Sequence, residues 1–238
     1  MRFVPVSPEL HRGKFLRPLP SFAYAAGTPA SEVVFSEVSQ VAASFPMFFL
    51  QFEGINKVLA LFGLAQGENL FVDRTGAWTG FYIPAMLRCH PFKLAAGAAN
   101  GELSILIDED AGLLSDDEGE PLFGTADGEP NGPVARAIQL LTQLNIDGAR
   151  TSEMVVQLGQ LGLLKATSLN IDRQGVHQPL GGLMAVDEAA LGALPEQEFL
   201  ALRKSGALVL AYAQMFSLAQ IARLQVKANL ADREMTLS

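Results

Sequence analysis

The chain has 238 residues, of which 49% are apolar and 18% charged, so it is a globular protein rather than a disordered one. Its formal net charge is −8 and its basic residues do not cluster, so we expect neither nucleic acid nor an anionic membrane surface as a partner. One cysteine excludes an internal disulfide framework and a cysteine-based zinc site. We expect one domain over residues 1–238, or a mainly β part (1–130) followed by a mainly α part (131–238).

The first third of the chain predicts short strands and little helix. Residues 1–30 are rich in proline and indicate an irregular arm with one or two edge strands. A short amphipathic helix is predicted over Ser36–Ser44, with Ser36 as its N-cap. Two strands follow, over Phe45–Phe52 and Lys57–Phe62.

Residues 69–83 predict a hairpin at the centre of the sheet. An apolar run is followed by a turn at 73–76, and then by an alternating strand that places Trp78, Gly80 and Tyr82 on one face. The missing side chain of Gly80 leaves a notch between two rings. One interpretation is a binding notch, because aromatic rings are stiff contact surfaces. The other is that Gly80 admits a neighbouring element and that both rings belong to the core.

A helical turn over Ala85–Arg88 is predicted after Pro84, which is favoured at the start of a helix. Strands Pro91–Ala96 and Leu103–Asp108 follow, joined by a loop at 97–101. Residues 108–120 are strongly acidic, but the spacing of an EF-hand is absent, so we expect a solvated loop and no metal.

The second half of the chain predicts mainly helices. A long helix begins after the N-cap Asn131, breaks near Gly148 and ends at Gly159–Gly162. A hairpin follows, with strands Ala166–Ile171 and Leu183–Val186 and a turn at 172–175.

Three helices complete the chain. Asp187 caps a short helix, a second helix covers Glu196–Lys204, and a third, apolar on most sides, runs from Gly206 to about Val226. Residues 205–222 carry no charge but include Gln214, so we expect a buried core helix rather than a transmembrane segment. The N-terminus has no apolar signal region, and we expect a cytoplasmic protein.

Few residues point to chemistry. Arg88 follows a strand end and is a candidate clamp for a carboxylate or phosphate; the alternative is a salt bridge to an acid, for which the candidates are Asp73, Glu37 and Glu68. Cys89 lies between Arg88 and His90, but sequence neighbours in a helical turn point in different directions, so an inert thiol is expected. The three histidines, His11, His90 and His177, lack metal-ligand spacing.

The sequence resembles the bacterial SapC-like family along nearly its whole length. The resemblance is carried by Glu68–Asp73, Gly76, Trp78, Tyr82–Pro84, Leu87–Arg88, Pro91–Phe92, His11, Glu37, Phe45–Pro46, Asp108–Glu109, Gly119–Phe123, Gly128–Pro130, Gly182–Leu183, Val186–Glu188, Leu191, Leu194, Ser205–Leu208 and Ser217–Leu218. It implies little about function. Members of this family are commonly described as surface-layer related or of unknown function, and the resemblance implies an accessory or binding role that assists aromatic-substrate or peptide-modifying enzymes.

We therefore expect an α+β fold, with an antiparallel sheet meander covered by helices from the C-terminal half. The first functional hypothesis is a soluble, non-enzymatic binding or accessory protein and homo-oligomer, without a cofactor, that binds a small molecule or a peptide or protein partner near Trp78, Tyr82 and Arg88. The second is an enzyme using His11, Glu37 or Arg88. The third is a structural protein associated with the cell surface.

Overall fold

A computed structural model of the chain describes residues 2–52, 54–96, 103–124, 129–173 and 176–236. The described strands, in chain order, are β1 (Phe3–Pro5), β2 (Phe15–Leu16), β3 (Ala30–Val33), β4 (Met47–Phe52), β5 (Ile55–Leu61), β6 (Phe92–Ala96), β7 (Leu103–Asp108), β8 (Leu114–Ser115), β9 (Glu120–Pro121), β10 (Leu164–Arg173) and β11 (Val176–Val186). The described α-helices are α1 (Pro8–His11), α2 (Val38–Ala42), α3 (Ala85–Arg88), α4 (Gly132–Gln160), α5 (Glu188–Gly192), α6 (Glu196–Ser205), α7 (Ala207–Ser217) and α8 (Gln220–Thr236).

The strands form three antiparallel sheets. The largest has the order β10-β11-β4-β5-β3, so it combines strands from both halves of the chain. The two smaller sheets have the orders β1-β7-β6 and β8-β2-β9. Helices of the C-terminal half pack on the large sheet, with α7 against β4 and β11 and with α8 against β10. The α+β class predicted from the sequence is confirmed.

Two hydrophobic clusters hold these elements together. The larger cluster lies between the five-stranded sheet and helices α4, α6 and α7, and its largest buried side chains include Phe45, Phe48, Phe49 and Phe62. The smaller cluster joins the first half of α4 to the sheet that contains β6 and β7. Long alternating or continuous apolar runs in β4 and β5 supply one face of the larger cluster, as expected for strands covered by helices.

Helix α7 is fixed to the sheet by polar side chains in the core. The amide of Gln214 donates from Nε2 to the Met47 carbonyl over 3.1 Å and accepts from the Val186 N–H over 3.0 Å. The Ser217 hydroxyl accepts from the Met47 N–H over 2.9 Å and donates to the Gln214 carbonyl over 2.6 Å. Buried polar groups that are fully paired in this way specify one position for a helix.

The single long helix predicted from Gly206 to Val226 is wrong, because the chain bends between α7 and α8. The Ser217 hydroxyl takes the Gln214 carbonyl, which weakens the helical ladder at that point. Among the described helices, none alone has the length and apolarity to cross a membrane. The bent pair Ala207–Ser217 and Gln220–Arg233, with 42° between its members, meets the length and composition criteria only jointly.

The hairpin predicted over residues 69–83 forms only in part. The turn at 73–76 is present, and its arms are joined by the antiparallel bridge Val72–Trp78 and by the Asp73 N–H to Ala77 and Thr79 N–H to Phe71 carbonyl bonds, over 3.0 and 2.7 Å, but neither arm continues as a strand. Side chains supplement this short pairing: the Asp73 carboxylate accepts from the Thr75 and Ala77 N–H groups over 2.9 Å each. Polar side chains that bond the local backbone in this way compete with strand pairing.

Other boundaries differ in smaller ways. Helix α4 continues through Gly148, because its packing on both sides outweighs the roughly 1 kcal/mol helix penalty of one glycine. Ser36 is not an N-cap, since a 3-10 turn over Phe35–Glu37 precedes α2. The Asn131 and Asp187 caps and the helices after Pro84 and Pro195 are confirmed. The loop predicted at 97–101 and the tip of the turn at 172–175 lie outside the described residues.

Candidate functional site

The site is built around Glu37, a buried carboxylate with 4% of its surface exposed. Its Oε2 accepts from the Ala85 N–H at the start of α3 over 2.8 Å and from the Tyr82 hydroxyl over 2.9 Å. Its Oε1 accepts from the Val34 N–H over 3.4 Å. A buried charge needs such partners, because desolvating an unpaired carboxylate costs several kcal/mol. Glu37 therefore fixes the segment 82–85 against the end of β3.

Tyr82 connects this buried carboxylate to Arg88. Burial, reinforced by the negative charge of Glu37, raises the pKa of Tyr82 to about 12, so the phenol remains protonated and donates to Glu37 at neutral pH. The Arg88 Nη2 lies 3.3 Å from the Tyr82 hydroxyl oxygen, and its guanidinium carbon lies 5.8 Å from the centroid of the Tyr82 ring. Tyr82 thus has a defined orientation, and Arg88 is placed beside it.

The Trp78 side chain is partly buried, with one part of its ring in the core and another at the surface. Its ring packs near the rings of Phe45, Phe62 and Phe71, with centroid distances of 6.1, 5.7 and 5.9 Å. Its Nε1 donates to the Tyr82 carbonyl over 2.9 Å, which draws the indole across Gly80. A Cβ at Gly80 would lie 2.7 Å from that nitrogen, so the space over Gly80 is occupied by the indole of its own segment rather than by a neighbouring strand or helix.

The exposed side of these residues forms a pocket of about 560 Å³, which we call the aromatic pocket. It is lined by residues 19–22, 76–78 and 80–83 and by Arg88. Phe22 contributes a ring whose centroid lies 5.8 Å from that of Trp78. Phe81 is 86% exposed at its edge, and the Arg223 guanidinium carbon lies 4.8 Å from the Phe81 ring centroid. A volume of this size is typical of sites for small organic ligands.

Among the described residues that line the aromatic pocket, Arg88 alone carries a charge. The salt bridge considered for Arg88 does not form with any of the three acids proposed. Asp73 accepts from its own turn, Glu68 pairs with Arg173 over 2.7 Å, and Glu37 lies behind Tyr82. Arg88 therefore faces the pocket with N–H groups that the described part of the chain does not neutralise.

The other candidate residue, His11, lies elsewhere. It is 1% exposed at the end of α1, with Nδ1 3.3 Å from the Ser7 nitrogen and 3.2 Å from the Ser7 oxygen. Its Nε2 lies 3.5 Å from Oε1 of Glu109. His11 is not part of the pocket lining, so the structure brings together Trp78, Tyr82, Arg88 and, behind them, Glu37, but not His11.

The surroundings of Cys89 and His90 are not those of an activated thiol. Cys89 is buried, and its Sγ donates to the Ala85 carbonyl over 3.3 Å. Burial raises the pKa of Cys89 to about 11, against the lowering effect of Arg88. His90 stacks on Tyr24 with ring centroids 3.9 Å apart, and burial lowers the pKa of His90. In the described chain, no group of three or more potential ligands from His, Cys, Asp and Glu is arranged to hold a metal ion.

A second cleft, of about 650 Å³, lies between β5, β6, α3 and α4. Its lining includes Met86, Lys57 and Lys93. The Lys57 ammonium pairs with Glu32 in the same cleft, and the Lys93 nitrogen lies 3.5 Å from the Phe3 ring centroid. Lys57 of this cleft is therefore paired with an acid, whereas Lys93, like Arg88, contacts an aromatic side chain.

The SapC family profile matches residues 6–224, which is nearly the entire chain. The chain belongs to the SapC family. No curated protein matches it significantly, and no solved structure does. The matched range includes the whole aromatic pocket of this SapC-family protein as well as Glu37 and His11.

Two members of the pocket could not be selected from the sequence. Phe22 lies in the irregular N-terminal arm, and no local pattern indicates that it meets Trp78, 56 positions later. Alternation places Phe81 on the face opposite Trp78 and Tyr82. Phe81 lines the same pocket because the segment does not continue as a regular strand, and the family match of the chain gives no information about that geometry.

Proposed function

We propose that this protein is a non-enzymatic binding protein and that its ligand is a small molecule held in the aromatic pocket. The observation that carries the proposal is the pocket's composition: Phe22, Trp78, Phe81 and Tyr82 line it together with one cation, Arg88. Pockets with apolar walls and a few placed polar groups are typical of ligand sites. The ligand would contact the rings through an apolar group.

An enzymatic function is less well supported by the same lining. General acid–base catalysis needs a group whose pKa lies near the working pH. The titratable phenol in the lining, Tyr82, has its pKa raised to about 12 by burial, and Glu37 behind it is committed to three donors. The arrangement favours holding a ligand over transferring a proton.

The test is binding of aromatic probes, with a matched pair of variants. Phe81→Ala removes an exposed ring of the pocket, and Ile146→Ala removes an exposed apolar side chain, 57% accessible, on α4 outside the pocket lining. Both variants should fold within about 0.5 kcal/mol of wild type, because exposed side chains contribute little to stability. Phe81→Ala should weaken probe binding about 10-fold or more, whereas Ile146→Ala should leave it unchanged.

Binding is measured by saturation-transfer NMR on a panel of neutral and charged phenyl and naphthyl compounds, and by quenching of Trp78, the one tryptophan in the chain. If no compound binds at millimolar concentration, or if the two variants behave alike, the proposed function is wrong.

We also propose that the protein is soluble, acts in the cytoplasm and forms a homo-oligomer. The support for self-association is an exposed apolar stripe on α7, where Val209 is 55%, Tyr212 38% and Phe216 71% exposed. Such residues at helical spacing are common in interfaces. Sedimentation velocity should show Phe216→Ala dissociating more readily than wild type, and equal behaviour would count against this interface. Cell fractionation tests the location.

A further inference from the structure

Arg88 is held in place by a chain of contacts that begins in the core. Helix α3, which carries Arg88, is fixed at its first N–H by Glu37 and at the Leu87 carbonyl by the Tyr24 hydroxyl, over 2.5 Å. The Tyr82 phenol donates to Glu37 and accepts from Arg88 Nη2. Preorganised groups bind better because less conformational freedom is lost on binding.

The rest of the Arg88 guanidinium has no acceptor in the described chain. Its planar fork has five N–H donors, and one of them is directed at Tyr82. A neutral phenol does not neutralise the positive charge. Glu37 reaches Arg88 only through the Tyr82 hydroxyl that both contact, while Asp73 and Glu68 are bonded elsewhere. The unmatched donors belong to an exposed side chain at the rim of the pocket, so a ligand can reach them, and an ion pair there is reduced by salt.

The shape of the Arg88 guanidinium and the number of cations in the pocket lining favour a carboxylate over a phosphate as its ligand. A guanidinium matches a carboxylate with two parallel hydrogen bonds. A doubly charged phosphate would need further cations, but Arg223 and Lys227, the neighbouring ones, are not in the lining. Arg223 lies against the Phe81 ring, and the Lys227 ammonium donates to the Thr79 hydroxyl over 3.1 Å.

We propose that the ligand of the aromatic pocket is a monocarboxylate with an aromatic or similarly bulky apolar group, and that its carboxylate pairs with Arg88. This inference rests on the ligand-binding function proposed above and names its ligand class. The apolar group contacts the rings of Phe22, Trp78 and Phe81, while Tyr82 acts as a positioning residue that sets the direction of the Arg88 fork.

The experiment compares 3-phenylpropionate with its neutral isostere 3-phenylpropionamide. These probes have the same ring and nearly the same shape, and they do not absorb where Trp78 is excited. Titrations of the full-length protein are followed by Trp78 fluorescence and calorimetry at low and at moderate salt. A bidentate ion pair at an exposed arginine should give the acid an advantage of about 3- to 10-fold over the amide. Salt should reduce that advantage.

The matched variants are Arg88→Gln and Arg203→Gln, an exposed arginine on α6 outside the pocket lining. Arg88→Gln should bind both probes with similar affinity, whereas Arg203→Gln should retain the preference for the acid. The comparison of the two probes on wild type needs no variant, so a folding defect in Arg88→Gln leaves the test intact.

The outcomes separate the two levels of the proposal. Equal binding of acid and amide to wild type overturns the carboxylate assignment and leaves the binding function standing. A preference for the acid that survives Arg88→Gln overturns the role of Arg88. Failure of both probes, and of the wider panel, to bind overturns the binding function and this inference with it.

Discussion

The substitution Gly80→Ala tests how the Trp78 indole is held at the pocket wall. The new Cβ would lie 2.7 Å from Trp78 Nε1, 3.1 Å from its Cε2 and 3.3 Å from Phe71 Cδ1. These atoms belong to packed rings rather than to the ends of flexible chains, so the indole must move. Overpacking of this kind costs about 1–3 kcal/mol. The displaced indole also loses its hydrogen bond to the Tyr82 carbonyl, worth about 1 kcal/mol.

We therefore expect Gly80→Ala to lower the free energy of unfolding by about 2–4 kcal/mol. The assay is urea unfolding followed by circular dichroism and by Trp78 fluorescence, whose emission should shift to the red in the folded variant. Gly192→Ala is the control, because a Cβ there meets no atom within 4 Å. If both variants unfold at the same urea concentration as wild type, the described packing of Trp78 over Gly80 is wrong.

Three further predictions concern titration, reactivity and an ion pair. Burial raises the pKa of Tyr24 to about 12, so the contribution of Tyr24 to stability should be intact below about pH 10 and should be lost as pH rises toward 12. Over that window the urea midpoint of Tyr24→Phe should fall less than that of wild type. An equal fall would contradict the burial of Tyr24. Burial also raises the pKa of Cys89 to about 11, so a disulfide reagent at pH 8 should react about 100-fold more slowly with native than with unfolded protein. Equal reaction rates would contradict the burial of the thiol. Arg173→Ala leaves Glu68 and Asp232 without their shared cation and should destabilise the fold by about 2–3 kcal/mol in urea unfolding, where a change below about 0.5 kcal/mol would refute a structural role.

Several helix ends can be predicted from the sequence, because their signals are local. The Asn131 side chain accepts from Gly132 at the start of α4, and Asp187 accepts from two N–H groups at the start of α5. Gly206, with φ of 91°, ends α6 in the left-handed region that glycine adopts without strain. These residues act within a few positions of themselves, so their role can be inferred from the sequence.

Alternation predicts longer strands in segment 69–83 than the structure forms, because alternation alone does not specify a pairing partner. The spacing of Trp78, Gly80 and Tyr82 fits a strand, but the Asp73 carboxylate and the Trp78 indole bind backbone groups of the same segment. The bend at Ser217 has a similar origin, since its hydroxyl bonds both its own helix and Met47, a residue distant in sequence. Such contacts depend on the tertiary structure and leave no periodic signal.

The candidate site was predicted in part. Trp78, Tyr82 and Arg88 were selected from the sequence, and they do line one pocket. The contact between Tyr82 and Glu37 spans 45 positions, and the ring of Phe22 approaches Trp78 from the N-terminal arm. No local rule predicts either contact, so the charges and the lining of the pocket can be described only once the tertiary structure is known.

The measurement that tests the central claim most directly is chemical-shift mapping on ¹⁵N-labelled protein titrated with 3-phenylpropionate. The account predicts that the largest amide shifts fall in residues 76–83, in Arg88 and in the 19–22 segment, and that Phe81→Ala moves their titration to about 10-fold higher probe concentration while Ile146→Ala does not. Shifts confined to the second cleft, around Met86 and Lys93, or no shifts at millimolar probe, would contradict the assignment of the aromatic pocket as the binding site.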